Sequence, residues 1–472
     1  MENIFRIKFV IGFVMVWFTV FLAVGGYIPW DMYLLPMVLC GVISAVKLSD
    51  CLNKREYYRD LYTIVWGVIF INSYIAPVIH FTRGEWMEYI IFYPENWNDY
   101  AFLTSLFYLT GILIWLAILQ ENEPGKKFTI KWAARKNAPR ILLGLMGISF
   151  LLQLYVYARL GGIGGYVQAY TDSTKEESAF SGTGVFSIFS EMFPYLFVMY
   201  FVITQRDKKI RGREVFVFFT LLLLALLFFG GLKGSRNNVI YTLVMGVVAV
   251  HIFVYKLKFV HILYFILFFF LFMYVGRLYK DQKGNLFDNV KEAMESRDKK
   301  NISQAEIIVL GDLSRFGVNT YELYLLEMSK EYKYKYGETY LWGIFTFVPL
   351  GSALIREYDI CSRSEAATEL FYKNRTQTEN SRIFGLLGEW MLNFGIWTFF
   401  VPYLFMGGIL RELRRVTISI PLNDMRMLIV PAVLTCVPDL ILSDMSNIMS
   451  FVVKRIVVFL LVIYCISKRQ TF

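Results

Sequence analysis

The stretch Val215–Phe229 reads VFVFFTLLLLALLFF and contains no charged side chain. Comparable runs are Phe9–Val24, Leu61–Val78 and Phe259–Val275, which hold almost no charge either. A helix needs roughly 20 apolar residues to cross the ~30 Å hydrocarbon layer of a bilayer, and only helices and closed barrels satisfy their backbone there. The alternating pattern of a membrane barrel, at about ten residues per strand, is absent. These runs therefore predict transmembrane helices.

The composition of the whole chain agrees with this interpretation. Of the 472 residues, 56% are hydrophobic and only 18% are charged, whereas soluble domains have about 25% charged residues. We expect an all-α polytopic membrane protein with about 12 transmembrane helices and one large extracytoplasmic loop that forms a small helical subdomain. The predicted spans are 8–26, 31–47, 61–80, 99–119, 140–159, 184–204, 215–231, 237–255, 258–276, 385–410, 427–442 and 449–466.

The positive charge is concentrated on one side of these spans. The loops and ends that we assign to the cytoplasm carry 25 of the 48 Lys and Arg residues, while the short loops opposite hold only Arg83, Lys175, Lys233 and Arg236. This asymmetry is typical of the positive-inside rule. It predicts that both termini are cytoplasmic, and it explains the net charge of +10 without a nucleic-acid partner.

One long segment differs from the rest of the chain. Residues 277–384 contain 16 basic and 16 acidic residues, and long translocated loops are largely exempt from the positive-inside count. We therefore divide the chain into spans one to nine (1–276), an extracytoplasmic loop subdomain (277–384), and spans ten to twelve with the C-terminus (385–472). Within the loop, Asn319–Lys330 has the apolar face expected of an interfacial helix.

Cysteine and histidine residues exclude several kinds of site. The five cysteines show no paired spacing, which argues against a disulfide framework or a thiolate metal site. The three histidines, His80, His251 and His261, form no cluster on the outer side. A catalytic zinc ion needs about three protein ligands and a Ser-His-Asp hydrolase needs a nearby histidine. We expect a metal-independent protein without a cofactor.

Four arginines on the predicted outer side of the membrane, three at span ends and one within the outer loop, are candidates for substrate binding. They are Arg236, Arg315, Arg382 and Arg455. A charged side chain near the centre of a membrane costs about 2.5–3.5 kcal/mol, so such residues are functional candidates. Each one alone could instead reach the interface or pair with an acid. A convergent set of guanidinium groups suits a pyrophosphate, which they bind with two parallel hydrogen bonds.

Three carboxylates are candidates for acid or base chemistry. Glu389 lies about one helical turn inside predicted span ten, where a carboxyl group must be paired or have a raised pKa. Such an environment suits general acid or base catalysis. Glu322 and Asp312 in the loop are weaker candidates. The alternative for Glu389 is a structural ion pair with one of the arginines.

Several short segments resemble one family of membrane enzymes. Gly231-Leu-Lys-Gly-Ser235-Arg236-Asn, Tyr336-Gly337-Glu-Thr-Tyr340 followed by Phe347-Val348-Pro349, Gly388-Glu389 with Asn393-Phe394-Gly395, and the final Lys454-Arg455 run occur in one order along residues 140–466. In this order, and with one dominant outer loop, the chain resembles the Wzy-type O-antigen repeat-unit polymerases.

The resemblance implies a glycosyltransferase in the inner (cytoplasmic) membrane of a bacterium. Such an enzyme transfers a growing glycan from undecaprenyl pyrophosphate onto a new lipid-linked repeat unit, on the outer face of the membrane. Its implied partners are undecaprenyl-pyrophosphate-linked glycans, membrane lipids, and chain-length regulator and flippase proteins.

Three other functions remain open. A lipid-linked glycan ligase shares the architecture, but we expect a histidine base in its outer loop. A flippase or transporter has a similar number of spans, but its ionisable residues lie around a midplane cavity. The last is a non-enzymatic assembly partner.

Overall fold

The computed structural model describes residues 2–54, 56–83, 95–120, 128–163, 165–166, 189–229, 236–257, 308–348, 350–372 and 383–471. Within these ranges the chain is almost entirely helical, and two short strands pair in an antiparallel sheet.

The helices are numbered here in chain order. The first half contains α1 (Glu2–Val24), α2 (Leu34–Leu52), α3 (Leu61–Arg83), α4 (Trp97–Ile118), α5 (Ala138–Arg159), α6 (Phe193–Gln205), α7 (Gly212–Phe228) and α8 (Arg236–Phe253). The second half contains α9 (Phe316–Met328), α10 (Glu338–Phe345), α11 (Gly351–Glu357), α12 (Arg363–Tyr372), α13 (Gly385–Phe394), α14 (Val401–Ser419), α15 (Val430–Leu442) and α16 (Met445–Ile466). The strands are β1 (Ile130–Ala134) and β2 (Ser467–Thr471).

Seven helical segments of the described residues are long and apolar enough to cross a membrane. They are Leu34–Leu52, Leu61–Arg83, Trp97–Ile118, Ala138–Arg159, Ile396–Ser419, Met425–Leu442 and Met445–Ile466, with shorter apolar helices at Val10–Val24, Phe193–Gln205 and Tyr241–Phe253. The expected class, an all-α membrane protein, is confirmed, while the number of twelve spans stays a prediction. Predicted span 258–276 lies outside the described residues.

Predicted span ten, 385–410, has the wrong bounds. The chain breaks at Gly395, whose φ of +77° with extended ψ lies in a region that glycine adopts without steric cost. The short helix α13 ends there, and the apolar segment that can span a membrane is Ile396–Ser419. Glu389 therefore lies on a separate short helix and not one turn inside a span.

The chain forms two compact units. The first consists of residues 1–127, 305–419 and 436–455, and the second of residues 128–304, 420–435 and 456–472. The first unit contains α1 to α4 and the short helices α9 to α13. The second contains α5 to α8, the sheet and the last part of α16. The predicted division at residues 277 and 385 concerns the sides of the membrane, and it stays a prediction.

Helix α3 contains a π turn at Ile71–Ile75. Pro77 follows it, and in a regular helix its ring would collide with the carbonyl group of Ser73, four residues earlier. The wider turn relieves this collision and places Asn72 in the interior. There its Oδ1 accepts a hydrogen bond from the backbone N–H of Arg315, at 2.7 Å.

The prediction of an interfacial helix at Asn319–Lys330 is wrong, because the helix found there is buried in the protein. The helix is α9, and its first eight residues, Phe316 to Leu323, are all buried. Val318 belongs to an apolar cluster with Leu370, Phe384 and Leu392. The same helix also buries the polar side chains of Asn319, Thr320 and Glu322, so α9 is a core helix of the first unit.

Candidate functional site

Seven polar or charged side chains are buried together in the first unit, where α9, α10, α12 and α13 approach the start of α16. They are Asn319, Glu322, Thr339, Arg363, Glu389, Asn393 and Asp444, and none is more than 8% exposed. We call them the buried polar cluster. A buried polar group without a partner is costly, so each of these side chains needs a hydrogen-bond partner. Several of the partners are backbone groups at helix ends.

Two carboxylates in this cluster cap each other's helices. Glu389 on α13 accepts a hydrogen bond from the backbone N–H of Met445, the first residue of α16, at 2.6 Å from Oε2. Asp444 directly precedes α16, and its Oδ1 accepts from the N–H groups of Phe384 and Gly385 at the start of α13, at 2.9 Å each. Helix N-termini carry unpaired N–H groups and favour negative charge. Glu389 therefore caps the start of α16, and Asp444 caps the start of α13.

Arg363 on α12 completes this arrangement. Its Nη1 donates to Oδ2 of Asp444, and both side chains are buried. Removing one partner of a buried ion pair leaves an uncompensated charge, which is strongly destabilising. The pair therefore ties α12 to the junction of α13 and α16.

Glu389 has the electrostatic surroundings of an acid–base group. Its pKa is raised from 4.5 to about 8, first by burial and then by the negative charge of Asp444. Hydrogen bonds from Met445 and Thr339 and the positive charge of Arg363 act in the opposite direction. Near neutral pH the carboxyl group thus occurs in both protonation states, as general acid–base catalysis requires.

The two sequence segments around residues 336–340 and 388–395 meet at Glu389. The hydroxyl group of Thr339 donates to Oε1 of Glu389 at 2.9 Å and accepts from Nδ2 of Asn393 at 2.7 Å. Oδ1 of Asn393 accepts from the N–H of Gly337 at 2.9 Å. Asn393 and Glu389 are four residues apart on α13, so they share one helix face. Gly337 and Thr339, at the start of α10, form their hydrogen bonds with that face.

The carboxyl group of Glu322 has fewer hydrogen-bond partners than that of Glu389 among the described residues. It is fully buried, and its Oε2 is 3.5 Å from Nδ2 of Asn319. No hydrogen-bond partner for Oε1 lies within the described ranges. Burial raises the pKa of Glu322 well above its ordinary value, and the charge of Asp444 adds to this. The protonated form is therefore strongly favoured, which makes Glu322 a poorer base than Glu389 at neutral pH.

The side chain of Arg315 donates hydrogen bonds to three backbone carbonyl groups. Its Nε donates to the carbonyl oxygen of Leu442 at 2.7 Å, and its Nη1 donates to those of Gly311 and Ser314 at 2.6 and 2.7 Å. These bonds satisfy carbonyl groups at the end of α15 and ahead of α9. The side chain is 6% exposed, and it joins the two helices directly.

Arg315 also lines a cavity in the first unit. The space measures about 440 Å³ only when the open solvent at its mouth is counted, and the room for water-sized molecules is about 40 Å³. Its walls are mainly apolar and aromatic. Asn72, Tyr108, Arg315 and Asn319 provide most of its polar groups. Oδ1 of Asn319 accepts from the hydroxyl group of Tyr108 at 2.9 Å. A space of this size holds a few water molecules and is smaller than the usual ligand pocket.

The structure locates the other predicted residues only in part. Arg455 is buried on a π turn of α16, and its guanidinium carbon lies 4.1 Å from the centroid of the Phe451 ring. Arg236 begins α8 and Asp312 ends a π turn, but their side chains are outside the described part of the chain. Arg382 lies outside the described residues. The shared arginine site stays a prediction.

Sequence reasoning missed Arg363 and Asp444. Asp444 had a detectable signal, since it is the acidic residue in the short link between the apolar segments that end at Leu442 and begin at Met445. Arg363 had none, because it is one of many charges in the loop. Within the described ranges, no three His, Cys, Asp or Glu side chains are grouped so that they could hold a metal ion.

Comparison of the chain with family models, with curated proteins and with solved structures finds no match. The resemblance to the Wzy-type polymerases therefore depends on the short segments quoted above, and it stays a hypothesis.

Proposed function

We propose that this protein is a membrane glycosyltransferase that polymerises undecaprenyl-pyrophosphate-linked oligosaccharide repeat units into O-antigen or a related surface polysaccharide. It acts on the outer face of the bacterial inner membrane, without a metal ion or cofactor. One observation carries the proposal. The two segments that resemble the polymerases, 336–340 and 388–395, meet around the carboxyl group of Glu389, whose pKa is raised to about 8.

In the proposed reaction, a hydroxyl group of the acceptor sugar attacks the anomeric carbon of the donor glycan. A new C–O glycosidic bond forms, and the bond between the anomeric carbon and the pyrophosphate oxygen breaks. The hydroxyl proton passes to the ionised form of Glu389, and undecaprenyl pyrophosphate leaves. Glu322 and Asp312 are the alternative bases, and burial disfavours the ionised form of Glu322.

The charge on the leaving pyrophosphate needs cations that are in place before the bond breaks. We assign this role to Arg236, Arg315, Arg382 and Arg455. Of these, Arg315 lines the cavity described above. Chain-length regulator and flippase proteins are the proposed partners.

The experiment that tests the function is the surface polysaccharide profile of a strain lacking the gene, complemented with variants. We expect the deletion to reduce a ladder of chain lengths to single repeat units. Glu389→Gln keeps an acceptor for the N–H of Met445 but cannot take up a proton. It should lower the amount of polymer by about 10²- to 10⁴-fold, as for loss of a general base.

Glu331→Gln is the matched control, since Glu331 is exposed on the linker after α9, and it should restore the full ladder. Full-length glycan left on its lipid carrier would instead assign the protein as a ligase. An unchanged ladder in the deletion strain would overturn the proposal.

A further inference from the structure

The two-stranded sheet lies where two apolar helices end. β2 begins at Ser467, directly after α16, and three residues separate the end of β1 from the start of α5. Its register pairs Trp132 with Arg469 and Ala133 with Lys468. Both α5 and α16 are long and apolar enough to span a membrane. A strand that continues such a helix without a break emerges at the level of the lipid headgroups.

Side-chain hydrogen bonds to the backbone of both strands hold the sheet in one position. Oδ2 of Asp424 accepts from the backbone N–H of Trp132 at 3.2 Å. Arg426 Nη2 donates to the carbonyl oxygen of Ile130 at 2.6 Å and to Oδ2 of Asp424 at 2.7 Å. Arg135 Nε donates to the carbonyl oxygen of Ser467 at 2.8 Å. The side chains on the sheet are therefore presented by a fixed backbone.

Guanidinium groups lie against aromatic rings on the sheet and on the residues beside it. The guanidinium carbon of Arg469 lies 5.7 Å from the Trp132 ring and 5.9 Å from the Tyr464 ring. That of Arg426 lies 4.3 Å from the Phe128 ring. Tyr464 is 57% exposed. Trp and Tyr are enriched at both interfaces of a membrane because their rings are amphipathic.

The positive charge of the sheet is only partly balanced. Asp424 forms an ion pair with Arg426. Within the described ranges, no acidic side chain forms an ion pair with Lys131, Lys468 or Arg469, and the last two are exposed. A two-stranded sheet with unbalanced cations on both faces, and with an interfacial aromatic ring beside Arg469, suits phosphate groups attached to apolar tails.

We propose that the sheet binds the headgroups of anionic phospholipids, with Trp132, Arg469 and the adjacent Tyr464 on one face and Lys131 and Lys468 on the other. The cations contact the phosphate groups, and the rings of Trp132 and Tyr464 lie at the boundary with the acyl chains. Site-bound lipid holds the C-terminal strand against the loop before α5. This role is independent of the glycosyltransferase proposal, because it concerns only the sheet.

The test is the thermal unfolding midpoint of the purified full chain in a neutral detergent, titrated with dioctanoyl phosphatidylglycerol. A ligand that binds only the folded state raises the midpoint. Each basic residue near an anionic surface contributes about 1 kcal/mol, or about fivefold in affinity. Lys468→Gln with Arg469→Gln should therefore weaken the response about 25-fold. The matched control is Lys330→Gln with Lys333→Gln, two exposed lysines of the first unit, which should respond like the wild type.

Two further arms identify the ligand. Dioctanoyl phosphatidylcholine and inorganic phosphate should both raise the midpoint far less than the anionic lipid. A phosphate response equal to the lipid response would assign a free-anion site and overturn the lipid proposal. The charge-conserving pair Lys468→Arg and Arg469→Lys should keep most of the response. Equal titrations of the Gln pair and the wild type, or loss of the response in the charge-conserving pair, would also overturn it.

Discussion

At the scale of single residues, Glu389 is held by groups that act on its charge in opposite directions. The carboxyl group accepts hydrogen bonds from Thr339 and from the N–H of Met445, and both favour the ionised form. Burial and Asp444 favour the protonated form more strongly. A glutamine has one acceptor oxygen and one NH2 group, so it can accept from the N–H of Met445 only if its NH2 group faces the hydroxyl group of Thr339. In that orientation the cap of α16 is kept while the acid–base role is lost, so the two roles can be separated experimentally.

The raised pKa of Glu389 predicts a pH dependence of stability. The folded protein binds more protons than the unfolded chain between pH 4.5 and about 8. The contribution of Glu389 is therefore fully present below pH 4.5 and is lost as the pH rises through about 8. We expect the unfolding midpoint of the wild type to fall over this range more steeply than that of Glu389→Gln. Identical slopes, measured in detergent by thermal unfolding, would contradict the assignment.

The ion pair between Arg363 and Asp444 predicts a coupled effect on stability. Asp444→Asn keeps an acceptor for the N–H groups of Phe384 and Gly385 but leaves Arg363 without its carboxylate. It should cost about 3–5 kcal/mol. Adding Arg363→Met should recover part of this loss, because the second change removes the unpaired charge. A double variant that is destabilised by the full sum of both single changes would show that the pair is not coupled.

At the scale of helices, α13 approaches α9 at Gly388. A Cβ atom added there would lie 2.5 Å from Oε2 of Glu322 and 2.8 Å from Cβ of Phe384. Neither distance is tolerated by van der Waals radii, so the helices can approach this closely only with glycine. The same helix ends at Gly395, where the positive φ separates it from the apolar segment that follows.

This close approach predicts opposite results at two glycines. Gly388→Ala should destabilise the protein by about 1–3 kcal/mol, as is usual for overpacking. Gly408→Ala on α14 is the matched control, since nothing lies within 4 Å of an added Cβ. It should be neutral or stabilise the protein by up to about 1 kcal/mol through helix propensity. Thermal unfolding of both variants in detergent tests this, and equal midpoints would contradict it.

At the scale of the whole molecule, the distribution of Lys and Arg predicts the orientation in the membrane. Residues 126–140 and both termini should face the cytoplasm, and residues 277–384 should face outward. After the native cysteines are replaced, Glu357→Cys should react with an impermeant thiol reagent in intact cells, and Lys136→Cys should not. Both positions are exposed. The reverse labelling pattern would overturn the orientation and the proposed outer-face site.

The helical membrane class follows from local properties of the sequence. Uninterrupted apolar runs are long enough to cross a bilayer, and the helix satisfies its own backbone there, so the class needs no tertiary contact. The candidates Glu389, Glu322 and Arg315 could be selected for a similar reason. A charged group close to an apolar run is costly, and this is visible in the sequence.

Tertiary structure alone decided which groups surround these residues. The partnership of Glu389 with Asp444, and of Asp444 with Arg363, joins parts of the chain that are 55 and 81 residues apart. The interior position of α9 likewise depends on helices distant in sequence, so its apolar face resembled that of an interfacial helix. The pKa of a carboxyl group is set by burial and by neighbouring charges. Those neighbours are brought together only when the helices pack, which the order of residues along the chain does not reveal.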